Sequence, residues 1–384
     1  MLNVVAIAGY RSLRNIVVPL RKLNLITGAN GSGKSSFYRA LRLLGDVAQD
    51  RVVPSIAREG GLRSTLWAGP QVIARSVVRG DHPVEGQVRT EPVSLRLGFS
   101  SSDFGYLIDL GLPSPVKFTK FTSDPEIKRE QVWFGERPRP STLWVDRWQA
   151  TAKIKDQAGR WELVDDDVQT YDSVVTRMSE MFRLRDAIRR WRFYDHFRTD
   201  ADAPSRKLQI ATHTPVLNAD GRDLPSAIQT IFERTEGDAV QQAVDDAFPG
   251  STIAIRPDGP HMLLEMSQPG LLRPLSTAEL SDGTLRYLLW VAALLTMRPP
   301  ELMVLNEPET SLHPDLLPAL GRLIARAAEH TQVIVVSHAP PLIDALSQQS
   351  KCHRVELAKE HGETVARLPE TVDPEETVWK WPKR

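Results

Sequence analysis

The sequence has little cysteine, no net charge and no long apolar run, and each shortage removes a class of protein. Its 384 residues include a single cysteine, Cys352. One thiol closes no internal disulfide, and with His353 and His361 as neighbours it makes no metal site of familiar spacing. A reducing compartment, the cytoplasm, is therefore expected. Forty-eight basic and 48 acidic side chains cancel, so no global field steers the chain to nucleic acid or to an anionic membrane, and any nucleic-acid contact has to come from a local patch. The longest apolar run, residues 287–297, falls well short of the roughly 20 residues that a membrane-spanning helix needs. The start lacks a basic leader or small-residue cleavage site, so Met1 to Ala8 reads as a first strand. Long heptad runs and internal repeats are also missing.

What is there is an ordinary globular balance, 41% apolar and 25% charged, with enough apolar side chains for a substantial core. The first 46 residues read as strand, turn, strand, glycine loop and helix: Val4 to Ile7 is apolar, residues 23–26 form a second short run, and Phe37, Ala40, Leu41 and Leu44 share a helical face. The last third returns to that style, with strands at 302–305 and 333–336 around a helix at 315–330. Strands alternating with helices predict a parallel sheet. Between the ends, 93–99 and 106–110 alternate at period two across Ser100-Ser101-Ser102-Asp103, a hairpin pattern. A second hairpin is expected around Trp133 and Trp144, then helices over 173–192 and 224–247, then strands at 252–256 and 262–266. The reading is one discontinuous domain, 1–46 with 270–384, carrying an insertion, 47–269. That insertion comprises a β-hairpin subdomain at about 85–165 and a helical lobe at about 170–250.

Gly28-Ala29-Asn30-Gly31-Ser32-Gly33-Lys34-Ser35 matches the phosphate-loop pattern in full. Its glycines let backbone N–H groups curl around phosphate, Lys34 reaches the β- and γ-phosphates, and the Ser35 hydroxyl can ligate Mg²⁺. Asn30, Gly31, Ser32 and Ser36 complete the lining. Asn306-Glu307 follows a buried strand, where enzymes with such a loop place a metal-orienting acid and then a glutamate that activates water. Glu307 is the candidate general base, and Asn306 offers the metal a carbonyl oxygen but no charge. Leu280-Ser281-Asp282-Gly283-Thr284 precedes a strongly apolar helix that Ser281 can cap. His338 follows the strand at 333–336.

The order of these segments matches an ABC-type ATPase head, and the chain resembles the RecF-like, SMC-related ATPases of the AAA family in the form without long coiled coils. The resemblance rests on Ile7-Ala8-Gly9-Tyr10-Arg11-Ser12-Leu13, on Asp220-Gly221-Arg222-Asp223-Leu224-Pro225, on residues 280–285 and on residues 306–314. It implies an α/β fold of the P-loop NTPase class, ABC-ATPase head type, with a mixed central sheet, an antiparallel β subdomain and a helical insertion. It further implies that Ser281 and Gly283 of one subunit meet the γ-phosphate held by another, that His338 senses it, and that ATP and Mg²⁺ are the cofactors.

The expected function is an ATP hydrolase that dimerises on ATP as a conformational switch in DNA maintenance or anti-phage defence. A second reading is an ATP-dependent protein-binding module in which Asn306 makes hydrolysis negligible. A third is a transporter's nucleotide-binding subunit, for which Tyr10 would stack on adenine and a membrane partner is required. An arginine-rich helix offers Arg183, Arg189, Arg190 and Arg192 to nucleic acid. Its alternative reading is an amphipathic helix burying Phe182, Leu184, Ile188 and Trp191. Asp195, His196, Asp200 and Asp202 read as a solvated loop rather than a metal site.

Overall fold

The computed structural model describes residues 1–69, 94–113, 120–121, 123–164, 168–234, 237–349 and 351–383. The chain divides into two units: Met1–Arg21, Thr27–Trp191 and Val355–Arg384 form one, Lys22–Ile26 and Arg192–Arg354 the other.

In the first unit, β1 (Leu2–Tyr10) and β2 (Leu13–Pro19) form an antiparallel hairpin. Arg11 at its turn has φ 49°, the left-handed conformation that tight hairpins require. A short strand, β3 (Leu23–Thr27), which through Ile26 belongs to the second unit, is buried at every position, as expected of a strand covered on both faces. The glycine loop follows it in sequence, then helix α1 (Lys34–Val47). Phe37, Ala40, Leu41 and Leu44 are buried together on one face of α1, as their spacing predicts.

The antiparallel strands of this unit continue as β4 (Leu95–Ser101), β5 (Phe104–Gly111), β6 (Glu126–Phe134), β7 (Leu143–Trp148), β8 (Thr151–Lys155) and β9 (Trp161–Leu163). Both expected hairpins are present, as β4–β5 and β6–β7; Val93 and the rest of 85–93 lie outside the described residues. The sheet order is β2-β1-β4-β5-β6-β7-β8-β9, so the hairpins continue the sheet begun by β1, whose Val5 and Ala6 face Phe99 and Gly98. Period-two alternation marks a strand without naming its neighbour.

At the centre of this sheet Glu130 is fully buried, accepting from Tyr106 (2.7 Å), from Ser173 (2.5 Å), from the Val174 N–H (3.0 Å) and from Arg147 (3.0 Å). Arg147 also donates to the carbonyls of Gln149, Gln169 and Asp172. Such a pair survives burial because nearly all of its hydrogen-bonding capacity is used. Beside Glu130 and away from water, the Tyr106 hydroxyl is held well above its usual pKa by burial first and by that carboxylate second. The helix expected over 173–192 is broken into Val174–Arg177, a 3-10 turn at Ser179–Met181, and Phe182–Arg189.

Besides β3, the second unit contains β10 (Arg192–Tyr194), then β11 (Thr252–Asp258), β12 (His261–Ser267) and β13 (Leu275–Ser276), which form a small antiparallel sheet, and β14 (Leu302–Asn306) and β15 (Gln332–Val336). β10, β14, β15 and β3 run parallel, with Tyr194 beside Leu305, Leu305 beside Val335 and Val335 beside Leu25. The expected helix over 224–247 appears as Leu224–Phe232 and Gly237–Ala247; residues 235–236 lie outside the described ones. Helix Asp282–Leu294 is enclosed on every side, Leu285 to Leu294 each being at most 4% exposed. Its apolar residues pack with Met303, Leu305, Leu320, Ile324, Val333 and Val335 in one core, each large side chain contributing roughly 1.5–3 kcal/mol by leaving water. The α/β class with parallel strands and an antiparallel β part is thus as expected. Among the described residues no helix is long and apolar enough to cross a membrane.

Near the end of the sequence, β16 (Cys352–Glu360) and β17 (Glu363–Arg367) form a hairpin whose second strand reaches the β1–β2 turn: the Thr364 N–H donates to the Ser12 carbonyl (2.8 Å) and Arg14 pairs with Glu363 (3.1 Å).

Candidate functional site

In the first unit the glycine loop is shaped by positions that tolerate no side chain. Gly28 has φ 146° and Gly33 φ 108°, left-handed values that favour glycine. A Cβ at Gly28 would lie 2.2 Å from the Leu357 carbonyl oxygen, and one at Gly33 2.3 Å from the Thr364 hydroxyl. Thr364 itself is a brace: its hydroxyl donates to the Ser32 carbonyl (2.7 Å) and to the Ser12 hydroxyl (2.8 Å). Lys34 is 5% exposed, and its ammonium donates to the carbonyls of Gly28 (2.7 Å) and Ala29 (3.1 Å). That folds its charge back over the loop.

Helix α1 starts at Lys34 with Gly33 as N-cap and no side-chain cap. Its first N–H groups have no partner within the helix, and its dipole favours an anion there. Asn30, Gly31 and Ser35 are exposed and Ser36 half-buried, whereas the buried Ser32 hydroxyl finds no protein partner. The loop therefore offers a positive, donor-rich end that suits an anion.

In the second unit, two further groups stand at the carboxyl ends of adjacent parallel strands, where Asn306 lies beside Val336 and Val336 beside Ile26. Glu307 follows β14, its N–H bonded to the Val336 carbonyl (2.8 Å), with φ 48°. A glutamate held in that region costs on the order of 1–2 kcal/mol. His338 follows β15, its Nδ1 3.7 Å from Glu307 Oε1 and 3.5 Å from Glu309 Oε1.

Glu309, to which the sequence reading gave no place in the site, reaches across to the His338 loop. Its Oε1 accepts from the Ser337 hydroxyl (2.7 Å) and from the N–H groups of His338 (3.0 Å) and Ala339 (3.2 Å). Asn306 turns its amide nitrogen to Asp195 Oδ1 (2.6 Å), while its own Oδ1 is buried without a partner. A bare carbonyl oxygen suits a divalent cation, although among the described residues no trio of His, Cys, Asp or Glu is placed to hold one.

Ser281 caps helix Asp282–Leu294, accepting from the Thr284 N–H (3.2 Å). Two arginines missed in the sequence hold this segment. Arg206 donates to the carbonyls of Thr277 (2.7 Å), Ala278 (3.2 Å) and Leu280 (2.9 Å) and pairs with Asp282 (2.8 Å). Arg286, buried, donates to the Thr310 carbonyl (2.6 Å), to the Phe197 carbonyl (2.8 Å) and to the Thr199 hydroxyl (3.0 Å). It thereby ties the Ser281 helix to the segment after Glu307. Burial lowers the Arg286 pKa from its ordinary value.

Several expectations change. Tyr10 is fully buried, its hydroxyl on Glu59 (2.8 and 2.6 Å), so it presents no face for adenine. In the arginine-rich helix Leu184, Ile188 and Trp191 are buried as expected, but Phe182 is 61% exposed. Arg183 is exposed, Arg189 donates to the Ala48 carbonyl (2.9 Å), Arg190 pairs with Asp186 (3.5 Å), and Arg192 belongs to β10 in the other unit.

A family model described as "AAA domain, putative AbiEii toxin, Type IV TA system" matches residues 23–344. Among curated proteins, the DNA replication and repair protein RecF of Pseudomonas syringae pv. tomato is 28% identical over 172 residues, 42% of this chain and 44% of that protein. RecF of Pseudomonas fluorescens is 28% identical over 171 residues, with the same coverage. The chain spans less than half the length of the curated relatives it matches. Among solved structures, an SMC head bound to the C-terminal winged-helix domain of ScpA aligns with TM-score 0.49 and 14% identity over 96% of this chain and 98% of that one. The SMC head domain of Thermotoga maritima aligns with TM-score 0.43 and 15% identity over 96% and 99%.

Proposed function

The chain belongs to the AAA-domain family described as putative AbiEii toxin, type IV TA system, a family of P-loop ATPases, and from that premise we propose that it binds ATP at residues 28–36 and hydrolyses it with Glu307 as general base. The observation that carries this reading is the register Ile26–Val336–Asn306, which sets Glu307 and His338 at neighbouring strand ends, while the phosphate loop opens at Gly28, two residues beyond Ile26. In α/β sheets, ligands are bound where such strand ends meet.

In this mechanism the loop N–H groups and Lys34 hold the phosphates, and Glu307 takes the proton of the attacking water. His338, set by Glu309, contacts the γ-phosphate. Ser35 and Asn306 Oδ1 would hold Mg²⁺, which supplies charge neutralisation at the phosphates.

Ser281 and Gly283 complete the site of a second copy. Gly283 supports this, because nothing among the described residues demands a glycine there: a Cβ would meet only the Ser311 carbonyl oxygen, at 3.5 Å. Glycine in a helix costs about 1 kcal/mol relative to alanine, and leaving that corner bare suits close approach by a ligand. Closure on two ATP molecules then acts as a switch on DNA or in defence against foreign DNA, in the cytoplasm, with the exposed Arg183 and a further protein as candidate contacts. The second reading, an ATP-dependent binding module with negligible turnover, is favoured by one feature, the neutral Asn306.

Turnover of Mg·ATP by wild type, Lys34→Ala and Glu307→Gln tests the proposal, together with sedimentation with and without a non-hydrolysable analogue. Lys34→Ala abolishes binding, Glu307→Gln keeps binding and loses turnover at least 100-fold, and the analogue doubles the mass. Wild-type turnover equal to that of Lys34→Ala overturns the enzyme reading, and an unchanged mass overturns the dimer.

A further inference from the structure

We infer that Asp195 supplies the negative charge that Asn306 lacks, and that it acts as the positioning residue for the cation side of the site; this rests on the nucleotide reading above. β10 and β14 are parallel neighbours with Tyr194 beside Leu305, so the residues that follow these two, Asp195 just past β10 and Asn306 at the end of β14, stand at the same end of the sheet. Their side chains meet at 2.6 Å. An ionised carboxylate only accepts hydrogen bonds, so the amide must face it with its nitrogen. The amide oxygen is thereby turned the other way, and it is that oxygen which is buried without a protein partner.

Two effects follow from one contact. Asp195 fixes the Asn306 amide in the orientation that offers oxygen rather than nitrogen to a cation. It also places a full charge one side chain away from the oxygen, where an aspartate at position 306 would have carried it directly. Partners that orient a metal ligand through a hydrogen bond in this way are worth a large share of the affinity. The acid is thus relocated by one strand, and the neutral residue at 306 does not by itself imply a site without charge.

The test measures the affinity of the full chain for a fluorescent non-hydrolysable ATP analogue as Mg²⁺ is raised from a chelated start, with Mn²⁺ binding read by electron paramagnetic resonance. Asp195→Asn keeps the size of the side chain and removes its charge, and raises the Mg²⁺ half-point about tenfold or more, with metal-free affinity unchanged. The exchanged pair Asp195→Asn with Asn306→Asp, which restores one acid beside one amide, returns the half-point to within about twofold of wild type. An unchanged half-point in Asp195→Asn, an exchanged pair as impaired as the single variant, or a wild type indifferent to Mg²⁺ overturns the inference. Wild-type binding no better than that of Lys34→Ala instead overturns the nucleotide reading on which it rests.

Discussion

Replacing Glu309 tests whether the His338 loop is built by a single buried carboxylate. Glu309 is 7% exposed, and its Oε1 collects one hydroxyl and two backbone N–H groups from Ser337, His338 and Ala339. In Glu309→Ala the Ala339 N–H keeps a partner, the Ser337 hydroxyl oxygen at 3.2 Å. The His338 N–H and the Ser337 O–H are left without one. Each stranded donor costs about 1–3 kcal/mol, and relief of the carboxylate's own desolvation offsets part of the sum. A net loss of about 2–4 kcal/mol is expected, a large share of the 5–15 kcal/mol that folded domains usually have. Glu309→Gln retains an acceptor in the same place and gives up only the charge, for about 1 kcal/mol.

The assay is urea unfolding of both variants, followed by far-ultraviolet circular dichroism, with ATP turnover of the folded proteins measured alongside. Because His338 Nδ1 lies 3.5 Å from Glu309 Oε1 and 3.7 Å from Glu307 Oε1, Glu309→Ala loses turnover about tenfold or more beyond any fraction unfolded, while Glu309→Gln remains within about threefold. A Glu309→Ala stability within about 0.5 kcal/mol of wild type refutes the reasoning, since surface substitutions of no consequence fall in that range. So does a Glu309→Gln variant as damaged as the alanine.

Arg206→Met keeps the side chain's length and removes the donors to residues 277–280 and Asp282; amide exchange across residues 277–284 accelerates about tenfold or more while β14 and β15 keep their protection, and uniform acceleration would show a global role instead. Burial pushes the Cys352 thiol up to about 11, so at pH 8 only about one molecule in a thousand is thiolate. Iodoacetamide therefore labels the folded chain about a hundredfold more slowly than the urea-unfolded one, with the rate climbing about tenfold per pH unit below that value; labelling of the folded chain at the unfolded rate would contradict the burial argument.

The sequence by itself determined whatever is written between near neighbours. The phosphate loop needed glycines where φ is positive, at Gly28 and Gly33, and a helix with its N-terminus free, at Lys34. The buried runs of β3, β14 and β15 announced parallel strands, and Ser281 announced a helix cap. These features depend on spacing and backbone conformation within a few residues, so they survive without the fold. Only the tertiary structure decided which strand stands next to which, and so which side chains share a site. It joined β1 to β4, set Thr364 under the phosphate loop, swung Glu309 onto the His338 loop and brought Asp195 against Asn306. The last pairing joins residues 111 positions apart in the chain. A hydrogen bond of that kind is fixed by strand order and register, and neither leaves a mark in local periodicity.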